Sequence, residues 1–224
     1  MDYNICILIT LMSGFSTFIG SFPIFFKVKN EKLIIAFCLL LSSFVMLYVS
    51  FFDLIPTSFD YLLEVYNVFY SILLFLTYIV TGFLIVKVFD SDSNNSSLYK
   101  VGIISMISLI LHNIPEGIIT FISLSKNIKL GISLTISIVL HNIPEGIAIS
   151  VPIYFSTRSR KKALLYTLIA SLSEPLGGVL SYLFFSDVNN YLFALFLSVT
   201  AGMMIYLSIF ELLRKGFYYM KNKG

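Results

Sequence analysis

Long uncharged apolar runs, separated by short polar links, make up most of this chain. Seven of them reach the length, about 20 residues, that a helix needs to cross a bilayer. They run roughly from Tyr3 to Phe26, Leu33 to Phe52, Val65 to Val86, Val101 to Ser125, Leu130 to Thr157, Ala163 to Ser186 and Val188 to Phe210. The first begins uncharged and outlasts the short apolar core of a signal peptide, so it reads as a retained span. No link is long enough to form a separate folded unit, so residues 1–224 read as a single transmembrane domain. The longest link, residues 90–97, is the polar stretch Asp-Ser-Asp-Ser-Asn-Asn-Ser-Ser, a composition suited to a cytoplasmic loop. The expected fold class is an all-α polytopic membrane protein.

Composition agrees with this pattern. The 224 residues are 58% hydrophobic and 12% charged, with a mean hydropathy of +0.92, which excludes an ordinary soluble fold. Cys6 and Cys38 lie in apolar runs without metal-type spacing and read as packing residues. The charge distribution sets an orientation. With the N-terminus outside, the inner links carry Lys27, Lys29, Lys32, Lys87, Lys100, Arg158, Arg160, Lys161, Lys162, Arg214, Lys215, Lys221 and Lys223, and only Lys126 and Lys129 fall outside. That asymmetry follows the positive-inside rule and puts the C-terminus in the cytoplasm. The same residues cap membrane spans and form no single patch, so a nucleic-acid partner is not expected.

The chain also repeats itself. The hexapeptide HNIPEG occurs at 112–117 and again at 141–146, on consecutive and therefore antiparallel spans. The second span, from Ala36, aligns without gaps with the seventh, from Ala194, sharing Met46/Met204, Tyr48/Tyr206, Ser50/Ser208 and Phe52/Phe210 and setting Asp53 opposite Glu211. The first span, from Thr10, aligns with the sixth, from Thr167, which sets Thr17 opposite Glu174. Each pair has opposite orientations across the membrane, as expected of an inverted-topology repeat with a site near mid-membrane.

The only two histidines open the two HNIPEG copies. Positions i and i+4 share a helix face, so His112 lies over Glu116 and His141 over Glu145. Glu174 is a third intramembrane carboxylate. Ionisable groups in the bilayer are costly and mark function. A divalent cation shared by Glu116 and Glu145, with His112, His141 and Glu174, would have the mixed nitrogen and oxygen shell that Zn²⁺ or Fe²⁺ accepts. Asn113 and Asn142, turned by about 100° from the histidines, suit a neighbouring position sharing the same glutamates. Pro115 and Pro144 each remove a backbone donor, freeing the carbonyls of Leu111 and Leu140. Gly117 and Gly146 suit a close approach of the two antiparallel helices.

HNIPEG in two successive spans, followed by SLSEPLGG at 171–178, resembles the central helices of the ZIP divalent-metal transporters, in particular their bacterial ZupT-like branch. MLYVSFFDLIP at 46–56 and AGMMIYLSIFELL at 201–213 are similar to that family's second and seventh helices. The resemblance implies uptake of divalent metal, Zn²⁺ and also Fe²⁺ or Mn²⁺, through a binuclear site. It implies that His112, Glu116, His141, Glu145 and Glu174 serve one metal position, and Asn113, Asn142 and the bridging glutamates the other. Asp53 is then an entrance carboxylate and Glu211 an exit one.

Two departures go with it. The family's cytoplasmic linker often carries histidines, and this one has none. The family has eight spans, and seven are found here, the missing one being the repeat partner of the third. A homodimer is the expectation that follows, with Gly82, Ser71 and Thr81 offering contact surface. Two other function classes are weighed. An intramembrane hydrolase lacks support, since there is no His-Glu-x-x-His motif and no third histidine. A non-transporting metal-binding membrane protein is the second alternative.

Overall fold

A computed structural model describes residues 3–90, 97–184 and 189–222. The polar stretch 91–96, Lys223 and the expected span ends at Ser186 and Val188 lie outside the described residues. Among the described residues, seven helical segments are long and apolar enough to cross a membrane: α1 (Tyr3–Phe25), α2 (Glu31–Val65), α3 (Val68–Phe89), α4 (Leu98–Lys126), α5 (Ile128–Thr157), α6 (Arg160–Phe184) and α7 (Asn190–Lys221).

Local chemistry explains where the helices start. From α2 onward each is preceded by Asn or Ser: Asn30, Asn67, Ser97, Asn127, Ser159 and Asn189. Each side-chain oxygen accepts a backbone N–H of the first turn, at Leu33, Tyr70, Lys100, Leu130, Lys162 and Leu192 respectively. Such caps satisfy donors that have no partner inside the helix, each contributing about 1 kcal/mol.

The helix ends correct the reading from uncharged runs. Helix α2 continues past Phe52 to Val65 and α7 past Phe210 to Lys221. Charged Asp53 and Glu211 therefore lie inside helices. In both places the helix widens into a π-helical turn, at Ser50–Leu54 and at Leu207–Leu213. The first turn passes the Ile55 N–H to the Ser50 carbonyl, just before Pro56, whose nitrogen has no proton to give.

Helices α2, α4, α5 and α7 form the centre, with α1 and α6 on one side and α3 against α7. The packing is polar inside and apolar outside: Phe69, Val88 and Phe52 are more than 70% exposed, whereas His112, Asn142, Glu145 and Glu174 are almost fully buried. An outer surface of this kind fits lipid.

Glycines set the register between helices. A side chain at Gly117 would overlap the Glu174 carbonyl, and one at Gly146 the Thr17 carbonyl. Reciprocally, Gly177 lies on the Ile114 carbonyl and Gly20 on the Ile143 carbonyl. The HNIPEG glycines therefore seat α4 on α6 and α5 on α1, and do not bring α4 and α5 together as the sequence reading had it. Since Gly20 aligns with Gly177 and Thr17 with Glu174, the same contacts occur twice, and the inverted repeat is present in three dimensions.

Two further residues are corrected here. Gly82, expected on a self-association surface, is buried against the Val199 carbonyl of α7, while Gly202 of α7 meets the Ile79 carbonyl of α3. Ser71 is buried as well, and the exposed Thr81 turns its hydroxyl back to the Thr77 carbonyl.

Candidate metal site

At the centre, the two HNIPEG copies meet side by side. His112 Nε2 lies 3.1 Å from Glu145 Oε1, and His141 Nε2 lies 3.6 Å from Glu116 Oε1. Each histidine thus approaches the carboxylate of the opposite helix. The i, i+4 spacing puts His and Glu on one face, and the antiparallel crossing then exchanges their partners.

The asparagines are held by the flanking helices. Asn142 Nδ2 donates to the Ser13 carbonyl of α1 at 3.1 Å and to Glu174 Oε2 of α6 at 2.8 Å. Asn113 Nδ2 donates to the Ala170 carbonyl of α6 at 3.5 Å. Ser13 and Ala170 are themselves repeat-related. With each amide nitrogen engaged, the acceptor oxygens Asn113 Oδ1 and Asn142 Oδ1 are left without a hydrogen-bond partner among the described residues. Glu174 sits just after an interruption of α6 at Leu172, where Pro175 removes a backbone donor. Its carboxylate contacts Asn142, whereas the resemblance grouped it with the histidines.

All seven residues are buried, none more than 2% exposed. Nine of their side-chain atoms have no hydrogen-bond partner among the described residues: His112 Nδ1, Asn113 Oδ1, both Glu116 oxygens, both His141 ring nitrogens, Asn142 Oδ1, Glu145 Oε2 and Glu174 Oε1. Leaving such a group unpaired costs about 1–3 kcal/mol, and more for a charged one. All nine are atoms that can act as metal ligands. Among the described residues no three His, Cys, Asp or Glu side chains converge on one coordination point. They pair two by two, so a cation shared among them has to replace those pairs.

The two outlying carboxylates occupy different surroundings. Asp53 is half-buried and accepts from Ser137 Oγ at 2.8 Å. It lines a cleft of about 520 Å³ with Thr57, Tyr61, Ser123 and Ser133, at the end of the bundle where α4 turns into α5. Glu211 is fully buried and held at 3.3 Å by Arg214. It is therefore not a solvated carboxylate at a helix end.

Beside Glu211 lies a group that the sequence did not single out. Asp90, expected in the polar loop, is buried; Tyr206 Oη donates to it at 2.8 Å and Lys100 Nζ lies 3.2 Å away. Burial pushes the Asp90 carboxyl up, yet the Tyr206 hydroxyl and the Lys100 ammonium beside it hold it below the usual carboxylate range. No local motif marks Asp90, since it follows an apolar run as any loop residue does. Ser42 is a second such residue: its hydroxyl donates to the Pro144 carbonyl at 2.6 Å, tying α2 to the second HNIPEG copy.

A family model described as "ZIP Zinc transporter" matches residues 89–222, which hold both HNIPEG copies, Glu174 and Glu211. The chain is 37% identical over 233 residues to "Zinc transporter ZupT" of Chlorobium limicola, covering 95% of this chain and 88% of the relative. It is 34% identical over 250 residues to the protein of that name in Campylobacter jejuni, covering 93% and 86%, and 31% identical over 240 residues to that in Clostridium perfringens, covering 92% and 84%. With seven apolar helices around a buried set of histidine, asparagine and glutamate, and likeness along nearly its whole length, this chain belongs to the ZIP family of zinc transporters.

Proposed function

We propose that the chain carries Zn²⁺, and with it Fe²⁺ or Mn²⁺, into the cytoplasm through a binuclear cage between α4 and α5. The observation that carries this reading is the crossed pairing of His112 with Glu145 and of His141 with Glu116, fully buried and surrounded by unpartnered ligand atoms. One cation position uses His112, His141, Glu116 and Glu145. The other uses Asn113, Asn142 and Glu174, with Glu116 and Glu145 bridging. Nitrogen and oxygen donors of this kind suit Zn²⁺, Fe²⁺ and Mn²⁺, and the relatives named as zinc transporters favour Zn²⁺ among them.

The lysine and arginine asymmetry supports an N-terminus outside and a C-terminus in the cytoplasm. The Asp53 cleft is then the outer entrance, and Glu211, with Asp90, lies on the exit side. ZIP proteins are transporters and not enzymes, and the chain's own chemistry agrees, because a hydrolase built on three histidines is ruled out by there being two. The chain acts as one membrane domain.

Zn²⁺ accumulation in vesicles containing the purified chain tests this reading. Binding without accumulation would instead indicate a non-transporting metal-binding protein.

A further inference from the structure

The two halves of the cage repeat most of their anchoring contacts. Gly117 on the Glu174 carbonyl matches Gly146 on the Thr17 carbonyl, and Gly177 on the Ile114 carbonyl matches Gly20 on the Ile143 carbonyl. Asn113 donating to the Ala170 carbonyl matches Asn142 donating to the Ser13 carbonyl. The two crossed His and Glu pairs match each other. These contacts come from three different pairs of helices, and those made by α1 and α6 set Thr17 of α1 as the counterpart of Glu174 of α6.

At that matched position the chemistry differs. Glu174 brings a carboxylate to Asn142, hydrogen-bonded at 2.8 Å. By the same relation, the counterpart of the Glu174–Asn142 pair is Thr17 with Asn113. Thr17 is fully buried, and its Oγ1 has no hydrogen-bond partner among the described residues; nor does Asn113 Oδ1. A buried threonine ordinarily returns its hydroxyl to the carbonyl three or four residues back, as Thr10 does to Cys6 and Thr167 to Ala163. Thr17 makes no such bond, which leaves its oxygen available to the cage.

We propose that Thr17 supplies a neutral oxygen ligand to the asparagine-type metal position, and that its lack of charge leaves a cation there held less tightly than a fourth carboxylate would hold it. The proposal rests on the binuclear reading above. Glu116, Glu145 and Glu174 exceed one divalent cation by a single negative charge and fall one short of neutralising two. A fourth carboxylate at position 17 would balance two cations. In a low-dielectric site an unbalanced charge is costly, so the second ion is held loosely and leaves readily. Thr17 is thus a specificity- and release-determining residue that local sequence around the HNIPEG motifs does not reveal.

Equilibrium dialysis of Zn²⁺ against the purified full chain in detergent tests this, using the parent, Thr17→Glu, Thr17→Val, Thr17→Ser and Glu174→Gln. Thr17→Glu is expected to tighten, by about tenfold or more, the equivalent that Glu174→Gln weakens, and in vesicles to slow Zn²⁺ turnover. Thr17→Val, which keeps the shape and removes the oxygen, is expected to weaken the same equivalent that Glu174→Gln weakens, leaving the other unchanged, and Thr17→Ser to restore it. Thr17→Val alone decides the matter should a glutamate at this position prevent folding. A parent that binds two equivalents, with Thr17→Val unchanged in both, overturns the proposal alone. A parent that binds no Zn²⁺ overturns the binuclear reading and this proposal with it.

Discussion

His112 Nε2 lies 3.1 Å from Glu145 on the neighbouring helix, although Glu116 sits one turn along on its own helix face. The site is therefore built across α4 and α5, and neither HNIPEG copy is a complete half-site alone. On the proposed binuclear reading, removing Glu145 should strip both metal positions of a bridging ligand and leave buried His112 without its partner. On the same reading, His112→Ala removes a ligand from one position only. It should retain uptake and shift the relative rates for Zn²⁺, Fe²⁺ and Mn²⁺, as measured by competition between the metals in vesicles. An unchanged preference profile would count against the assignment.

Metal binding should weaken as the medium becomes acidic. A cation entering a site of imidazole and carboxylate ligands competes with protons for those ligands, so binding is opposed by acid. Zn²⁺ affinity measured between about pH 5.5 and 7.5, a window that spans the ordinary histidine range, should fall toward the acidic end. A flat profile would contradict the pairing of His112 with Glu145 and of His141 with Glu116 as the ion-exchanging element.

Helix register should be sensitive to the glycines that rest on backbone. Gly146→Ala places a methyl against the Thr17 carbonyl, which cannot swing away. Overpacking of this kind costs about 1–3 kcal/mol, and a lowered thermal midpoint in detergent would show it. Gly102→Ala instead meets the flexible end of the Ile153 side chain and should cost less. Equal losses in the two variants would argue against the backbone contact as the cause.

The Asp90 group gives a signed pH effect. Hydrogen bonds outweigh burial and hold the Asp90 carboxyl below its ordinary value, so its contribution to stability is present above the usual Asp range and is lost as pH falls through the lowered value. Asp90→Asn should therefore be less stable than the parent at neutral pH. The difference should shrink below about pH 4. A difference that persists undiminished in acid would show that the ionised carboxylate is not what stabilises this corner of α3, α4 and α7.

Much of this was legible in the sequence because membrane helices and intramembrane charge leave strong marks. Seven apolar runs gave seven helices, and the rarity of histidine made His112 and His141 conspicuous. The uncharged runs stop short of the true ends of α2 and α7 for a definite reason: a charge ends an apolar run, whereas Asp53 and Glu211 are accommodated at π-helical turns within the bundle. Asp90 was assigned to solvent because burial by Tyr206, 116 residues away, leaves no local trace. The crossing of histidine to opposite glutamate, and the seating of Gly117 and Gly146 on α6 and α1, depend on how four helices pack. Periodicity along one helix does not contain that information.

The most direct test of the central claim is Zn²⁺ uptake into vesicles reconstituted with the parent chain or with Glu145→Ala, with equal amounts of correctly folded protein in the two preparations. The account predicts time-dependent accumulation by the parent and loss of it in Glu145→Ala. Uptake at the parent rate in Glu145→Ala would contradict a cage bridged by this carboxylate.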